Sequence, residues 1–123
     1  MPLEADIEPA LQAVRRRLES AAHRVSRPPQ DITLVAVSKT VSIDRVRSAA
    51  DLGQLVFGEN RVQELTDKAS ALADLSLEWH LIGHLQSNKA RKAVAACSWI
   101  QSIDSVDLLK KVDAAAAEIG VRR

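Results

Sequence analysis

Ile32-Thr33-Leu34-Val35-Ala36-Val37-Ser38-Lys39 is an almost unbroken apolar run that closes on an amine, and its reading decides the fold. A strand with one face in water alternates apolar and polar residues, whereas a strand covered on both faces of a parallel sheet does not. The run therefore predicts a buried parallel strand over 32–38, with Lys39 at its carboxyl end. Three more short apolar segments follow at helix-sized intervals: Leu55-Val56-Phe57, Trp79-His80-Leu81-Ile82 and Trp99-Ile100-Gln101-Ser102-Ile103. The first two lead into polar turns, Gly58-Glu59-Asn60 and Gly83-His84-Leu85-Gln86-Ser87-Asn88. Polar chemistry thus collects at one end of the strands.

Helical signals fill the gaps. Ahead of the first strand, Ile7, Leu11, Val14, Leu18, Ala21 and Val25 trace one stripe of a helix over about 6–25, which Arg27-Pro28-Pro29 stops. Ser42 is placed to cap a helix with Ile43, Val46, Ala49 and Ala50 inward and Gly53 as its stop. Asn60 and Gln63 have the spacing of a capping box before Val62, Leu65, Ala69 and Leu72. A helix over 87–97 carries Ala90, Ala93, Val94 and Cys97 inward. Ser105 caps the last, whose core face is read as Leu108, Leu109, Val112, Ala115, Ala116 and Ile119, with Gly120 at its end. An N-terminal helix followed by four β-α units over about 32–120 is an α/β arrangement with a parallel sheet. It fits either an open doubly wound sheet or the first half of an eight-stranded barrel. In both, ligands bind beyond the carboxyl ends of the strands, where Lys39, Glu59, Asn60, His84, Ser102 and Asp104 are expected to gather.

The 123 residues suffice for one domain, and 46% hydrophobic with 27% charged residues is a globular balance. No apolar stretch approaches the roughly 18 residues that span a bilayer. A net charge of +1 gives no electrostatic case for nucleic acid or an anionic membrane as partner. The basic clusters Arg15-Arg16-Arg17 and Lys89-Ala90-Arg91-Lys92 are read as solvated helix faces. The opening Met1-Pro2-Leu3-Glu4-Ala5-Asp6 lacks the basic start and apolar core of a secretory signal, and Cys97 is the single cysteine, so a cytoplasmic location is expected.

Lys39 is the residue with chemical promise. A free lysine is a neutral nucleophile about once in 2,500 at pH 7, and burial among apolar groups raises that fraction. At a strand end it is placed to form an imine with an aldehyde; the plainer alternative is a lysine snorkelling into water. Asn60 reads first as a helix cap, a role compatible with touching a ligand. His80 and His84 are four apart, but Gly83 and the strand pattern between them oppose a metal-binding helix, and no metal site is expected. Trp79 and Trp99 each open an apolar strand and are read as core or helix-sheet packing rather than as a base-stacking surface. No glycine-rich phosphate loop and no Ser-His-Asp or Cys-His constellation is present.

The segments Leu34-Val35-Ala36-Val37-Ser38-Lys39-Thr40, Phe57-Gly58-Glu59-Asn60-Arg61-Val62-Gln63-Glu64 and Trp79-His80-Leu81-Ile82-Gly83-His84-Leu85-Gln86-Ser87-Asn88-Lys89 resemble, in this order, motifs of the pyridoxal phosphate homeostasis protein family. The resemblance runs from the first helix to Ile119. It implies a barrel of the alanine racemase N-terminal-domain type, a TIM (β/α)8 barrel with an extra N-terminal helix, of which residues 1–123 are the first half and the C-terminal half is absent. It implies that Lys39 holds pyridoxal 5'-phosphate as a Schiff base, and that Asn60, Ile82, Gly83 and His84 line the same pocket. The implied role is vitamin B6 homeostasis without an established catalytic reaction, with apo forms of cofactor-dependent enzymes as recipients. The alternative is a racemase-like enzyme acting at an amino-acid α-carbon, which needs a second acid or base that is not visible here. Many relatives have a second lysine where this chain has Val41, and a tyrosine where it has Arg61. Phosphate-binding loops after strands seven and eight have no counterpart in the chain. Full-length members are expected to be monomers, whereas this half is expected to need a second copy or the missing half.

Overall fold

The computed structural model of the chain describes residues 4–123, so Met1-Pro2-Leu3 of the acidic opening segment lie outside the described residues. Among the described residues five α-helices and four strands alternate: α1 (Glu4–Arg24), β1 (Ala36–Val37), α2 (Ile43–Asp51), β2 (Val56–Glu59), α3 (Val62–Ala71), β3 (Glu78–Leu81), α4 (Ala90–Ala96), β4 (Trp99–Ile100) and α5 (Val106–Ile119). The strands form one parallel sheet in the order β1-β2-β3-β4. That order decides between the two architectures left open by the sequence. A doubly wound sheet reverses direction part-way, whereas successive right-handed crossovers that always step the same way put every connecting helix on one face, as in a barrel wall. No helix among the described residues is long and apolar enough to cross a membrane.

Strand alternation sorts the side chains into two sets. Ala36, Phe57 and Trp79 share one row and Glu59, Leu81 and Ile100 another, on the face that packs against the helices. Phe57 and Trp79 sit with ring centroids 5.6 Å apart, and with Leu65, Leu81, Val94 and Leu108 they make the core. Each such side chain contributes roughly 1.5–3 kcal/mol by leaving water. The opposite face carries the row Val37, Gly58, His80 and Trp99. Trp99 is therefore not in the core as predicted. It is 55% exposed and stacks on His80 at 5.7 Å, while Val37 is 54% exposed.

Several boundaries differ from the expected ones for identifiable reasons. The first strand is paired only at Ala36–Val37, because the buried Gln54 side chain donates 2.8 Å hydrogen bonds to the carbonyls of Leu34 and Val56. Asn60 is not a cap: α3 starts one residue later with Arg61 at its N-cap and no side-chain bond there, and Gln63 donates to Asp67. Ser42 and Ser105 do cap, accepting from the amides of Arg45 and Leu108. The α1 stripe is rotated toward Leu18 and the buried Ala22, leaving Val14 and Val25 exposed, since α1 packs on α2 and Arg15 reaches the Leu52 carbonyl at 3.1 Å. On α5, Leu108, Val112 and Ala115 are buried while Leu109 and Ile119 face water.

Candidate functional site

Every strand ends in the same direction, and the turns beyond them are tied together. Gly83 lies so close to Asn60 that a Cβ on it would sit under 3.0 Å from the Asn60 carbonyl oxygen, Cα and Cβ, so only glycine fits at that crossing. Ser102 donates its hydroxyl to the Gly83 carbonyl at 2.5 Å. His84 Nδ1 is 3.4 Å from Asp104 Oδ2, both side chains being largely exposed. Asn60 and His84 share an open depression of about 440 Å³ with Arg61, Gln86 and Lys89. Ile82 lies on the helix-free face, where it and Val35 close over Gly58.

Lys39 lies in the turn beyond β1, separated from it by Ser38, and is exposed, as the snorkelling alternative has it. Strand alternation from Val37 carries it toward the helix-free face. Its neighbours are held on both sides. The Ser38 amide donates to the Gly58 carbonyl at 3.0 Å and the Ser38 hydroxyl to Glu59 Oε2 at 3.0 Å. Thr40 has φ +62°, a left-handed conformation that a β-branched residue rarely adopts. It is fixed there by its amide donating to Glu64 Oε2 at 2.7 Å and its hydroxyl donating to the Lys39 carbonyl at 2.6 Å.

Behind this turn lies a polar cluster that the sequence reading did not include. Lys68, whose side chain is 6% exposed, donates through Nζ to the Ser38 carbonyl at 2.5 Å, to Glu59 Oε1 at 2.8 Å and to Glu64 Oε2 at 2.8 Å. Glu59 thus points into the helix-facing core rather than toward a ligand. Burial pushes its carboxyl above the ordinary range, against the hydrogen bonds from Lys68 and Ser38. The hydrogen bond from Lys68, then that from the Thr40 amide, holds Glu64 below that range. The i, i+4 spacing of Glu64 and Lys68 is visible in sequence, but nothing there says that a lysine on α3 faces inward.

His80 is engaged elsewhere: its Nε2 is 3.1 Å from Glu78 and its Nδ1 2.7 Å from Gln101. Among the described residues no group of three or more His, Cys, Asp or Glu side chains could hold a metal.

No family model matches the chain. It is 42% identical over 111 residues to the pyridoxal phosphate homeostasis protein of Escherichia coli (strain K12), covering 88% of this chain and 47% of that protein. It is 44% identical over 126 residues to the protein of the same name in Bos taurus, covering 94% and 45%. PipY of Synechococcus elongatus, solved with PLP bound, is similar with a TM-score of 0.73 at 48% identity, over 84% of this chain and 49% of PipY. A crystal structure of a Bifidobacterium adolescentis protein gives a TM-score of 0.85 at 31% identity, over 96% and 52%. The chain spans about half the length of the curated relatives it matches. It is related in sequence and fold to the pyridoxal phosphate homeostasis proteins over that half.

Proposed function

We propose that this chain supplies the amine end of a pyridoxal 5'-phosphate site, with Lys39 as the covalent anchor, and that it serves to hold the cofactor in vitamin B6 homeostasis in the cytoplasm. The observation that carries the reading is the exposed Lys39 at the carboxyl end of β1, in a chain related to PipY, which was solved with PLP bound. The residues present fit an aldehyde-bearing ligand. The amine is accessible, Ile82 offers an apolar wall on the same face, and the turns at Asn60, Gly83 and His84 bring polar groups to the neighbouring strand ends. When bound, the cofactor supplies an aldehyde that joins an amine reversibly with loss of one water. Lys39 holds it without committing it to a reaction, so it can pass to another amine, including that of an apo-enzyme. In this reading residues 1–123 are the N-terminal part of a single barrel domain.

The test is an absorbance spectrum of the purified chain with added pyridoxal 5'-phosphate, before and after borohydride, which delivers hydride to the C=N carbon while nitrogen takes a proton from solvent. An imine band that vanishes on reduction and is missing in Lys39→Ala is expected. Equal labelling of Lys39→Ala would rule out the anchor. Transfer to an apo-enzyme no faster than from free cofactor would remove the carrier role.

A further inference from the structure

We infer that Lys68 and Glu64 are positioning residues for Lys39: a brace from α3 that grips the backbone on both sides of the amine and fixes where it points. The inference rests on the reading of Lys39 as anchor and extends it to residues on α3 behind the turn that carries it.

The geometry is specific to that purpose. Lys68 holds the carbonyl of Ser38, the residue before Lys39, and Glu64 holds the amide of Thr40, the residue after it. Lys68 and Glu64 are themselves joined at 2.8 Å, so both grips belong to one unit. Glu59 at the end of β2 is the third member, tying the brace to the sheet through Ser38 and Lys68. A network that served the core alone would have no need of a strained residue, since an unrestrained turn would let Thr40 relax from φ +62°. Here the strain is held at the one peptide that follows the amine. Burying an ammonium and a carboxylate is costly against apolar side chains of similar size, so a role beyond cohesion accounts better for their presence. Long side chains lose rotamer freedom when a ligand fixes them, and a backbone already held in place removes part of that cost.

Lys68→Met leaves Glu59 as a buried unpaired carboxylate and endangers the fold, so the test uses Glu64, whose side chain is 26% exposed. The full chain is treated with pyridoxal 5'-phosphate and borohydride. Peptide mass spectrometry then gives the ratio of label on Lys39 to label on the exposed Lys92, Lys110 and Lys111 of the same molecules. Protection of the buried Cys97 from alkylation confirms that each variant is folded. Glu64→Ala is expected to lower the ratio about tenfold by misplacing the amine, and Glu64→Gln, which keeps an acceptor for the Thr40 amide, to restore it to within about twofold. A selective wild type whose Glu64→Ala variant is equally selective overturns the brace and leaves the anchor standing. Loss in both variants overturns the hydrogen-bond device in favour of a charge effect. A wild type without preference for Lys39 overturns the anchor and, with it, the brace.

Discussion

Glu59 has no exposed surface, and what opposes the upward push of burial on its carboxyl is the Lys68 ammonium 2.8 Å away with the Ser38 hydroxyl behind it. Breaking such a pair from one side costs more than the pair contributes, because the remaining charge is stranded. Lys68→Met is expected to lower unfolding free energy by about 3–5 kcal/mol, measured by urea denaturation, and Glu59→Gln with Lys68→Met by clearly less. Equal losses would mean that the charge was never stranded. Cys97 is governed by the same burial, which outweighs the opposing charge of Arg123: its thiol is pushed up to about 11, and Sγ donates to the Ala93 carbonyl at 2.9 Å. The folded chain should therefore resist iodoacetamide at pH 8 and react on unfolding. The sign of the pH effect follows, since a raised folded-state pKa stabilises fully below the unfolded value of 9.0 and the benefit fades as pH climbs through about 11. The place of Lys39 just beyond a strand was legible in the sequence because an amine closing an apolar run is a local pattern. Lys68 was not, because its importance arises from the meeting of α3 with the ends of β1 and β2, which no single segment contains.

At the scale of the elements, what sequence signals reveal depends on whether the stabilising contact is local. Ser42 and Ser105 cap α2 and α5 with bonds to residues three positions on, and the sequence pattern found both. Asn60 has the same local pattern, yet α3 begins beyond it, because its backbone is committed to the close crossing with Gly83 from another strand. Ser105→Ala should thus cost about 1 kcal/mol in thermal or urea unfolding, whereas Asn60→Ala should cost less than about 0.5 kcal/mol. A loss at Asn60 as large as that at Ser105 would restore it as a cap. Strand ends were the least legible part. The apolar run over 32–38 overstates burial, since Ser38 alone in it is fully buried and Val37 is 54% exposed, and whether Leu34 bonds a neighbouring strand or the Gln54 side chain is settled twenty residues away. Helix faces were legible where a helix is packed on two sides, as in Ala90, Ala93, Val94 and Cys97 along α4, and drifted where it is packed on one, as in α1.

Across the whole molecule, the order β1-β2-β3-β4 has a consequence for solution behaviour that composition conceals. With the crossover helices all on one face, the other face is left to itself, and it presents Val37 at 54% and Trp99 at 55% exposure. β1 and β4 are in addition edge strands of the sheet, with backbone donors and acceptors turned outward, although each is only two residues long. Apolar surface and open edges on the same sheet favour association. His80 shows how that face is partly managed: stacked under Trp99 and bonded to Glu78 and Gln101, it is a buried polar residue that satisfies itself without help from the helices. Val37 has no such cover in its row. The purified chain is accordingly expected to associate as its concentration rises, with Trp99→Gln combined with Val37→Thr shifting it back toward monomer while α-helical content is kept. Light scattering at several concentrations, read beside far-UV circular dichroism, makes the measurement. A strictly monomeric wild type at all concentrations would mean that two large exposed side chains on this face are tolerated in water, and that the short edge strands are protection enough.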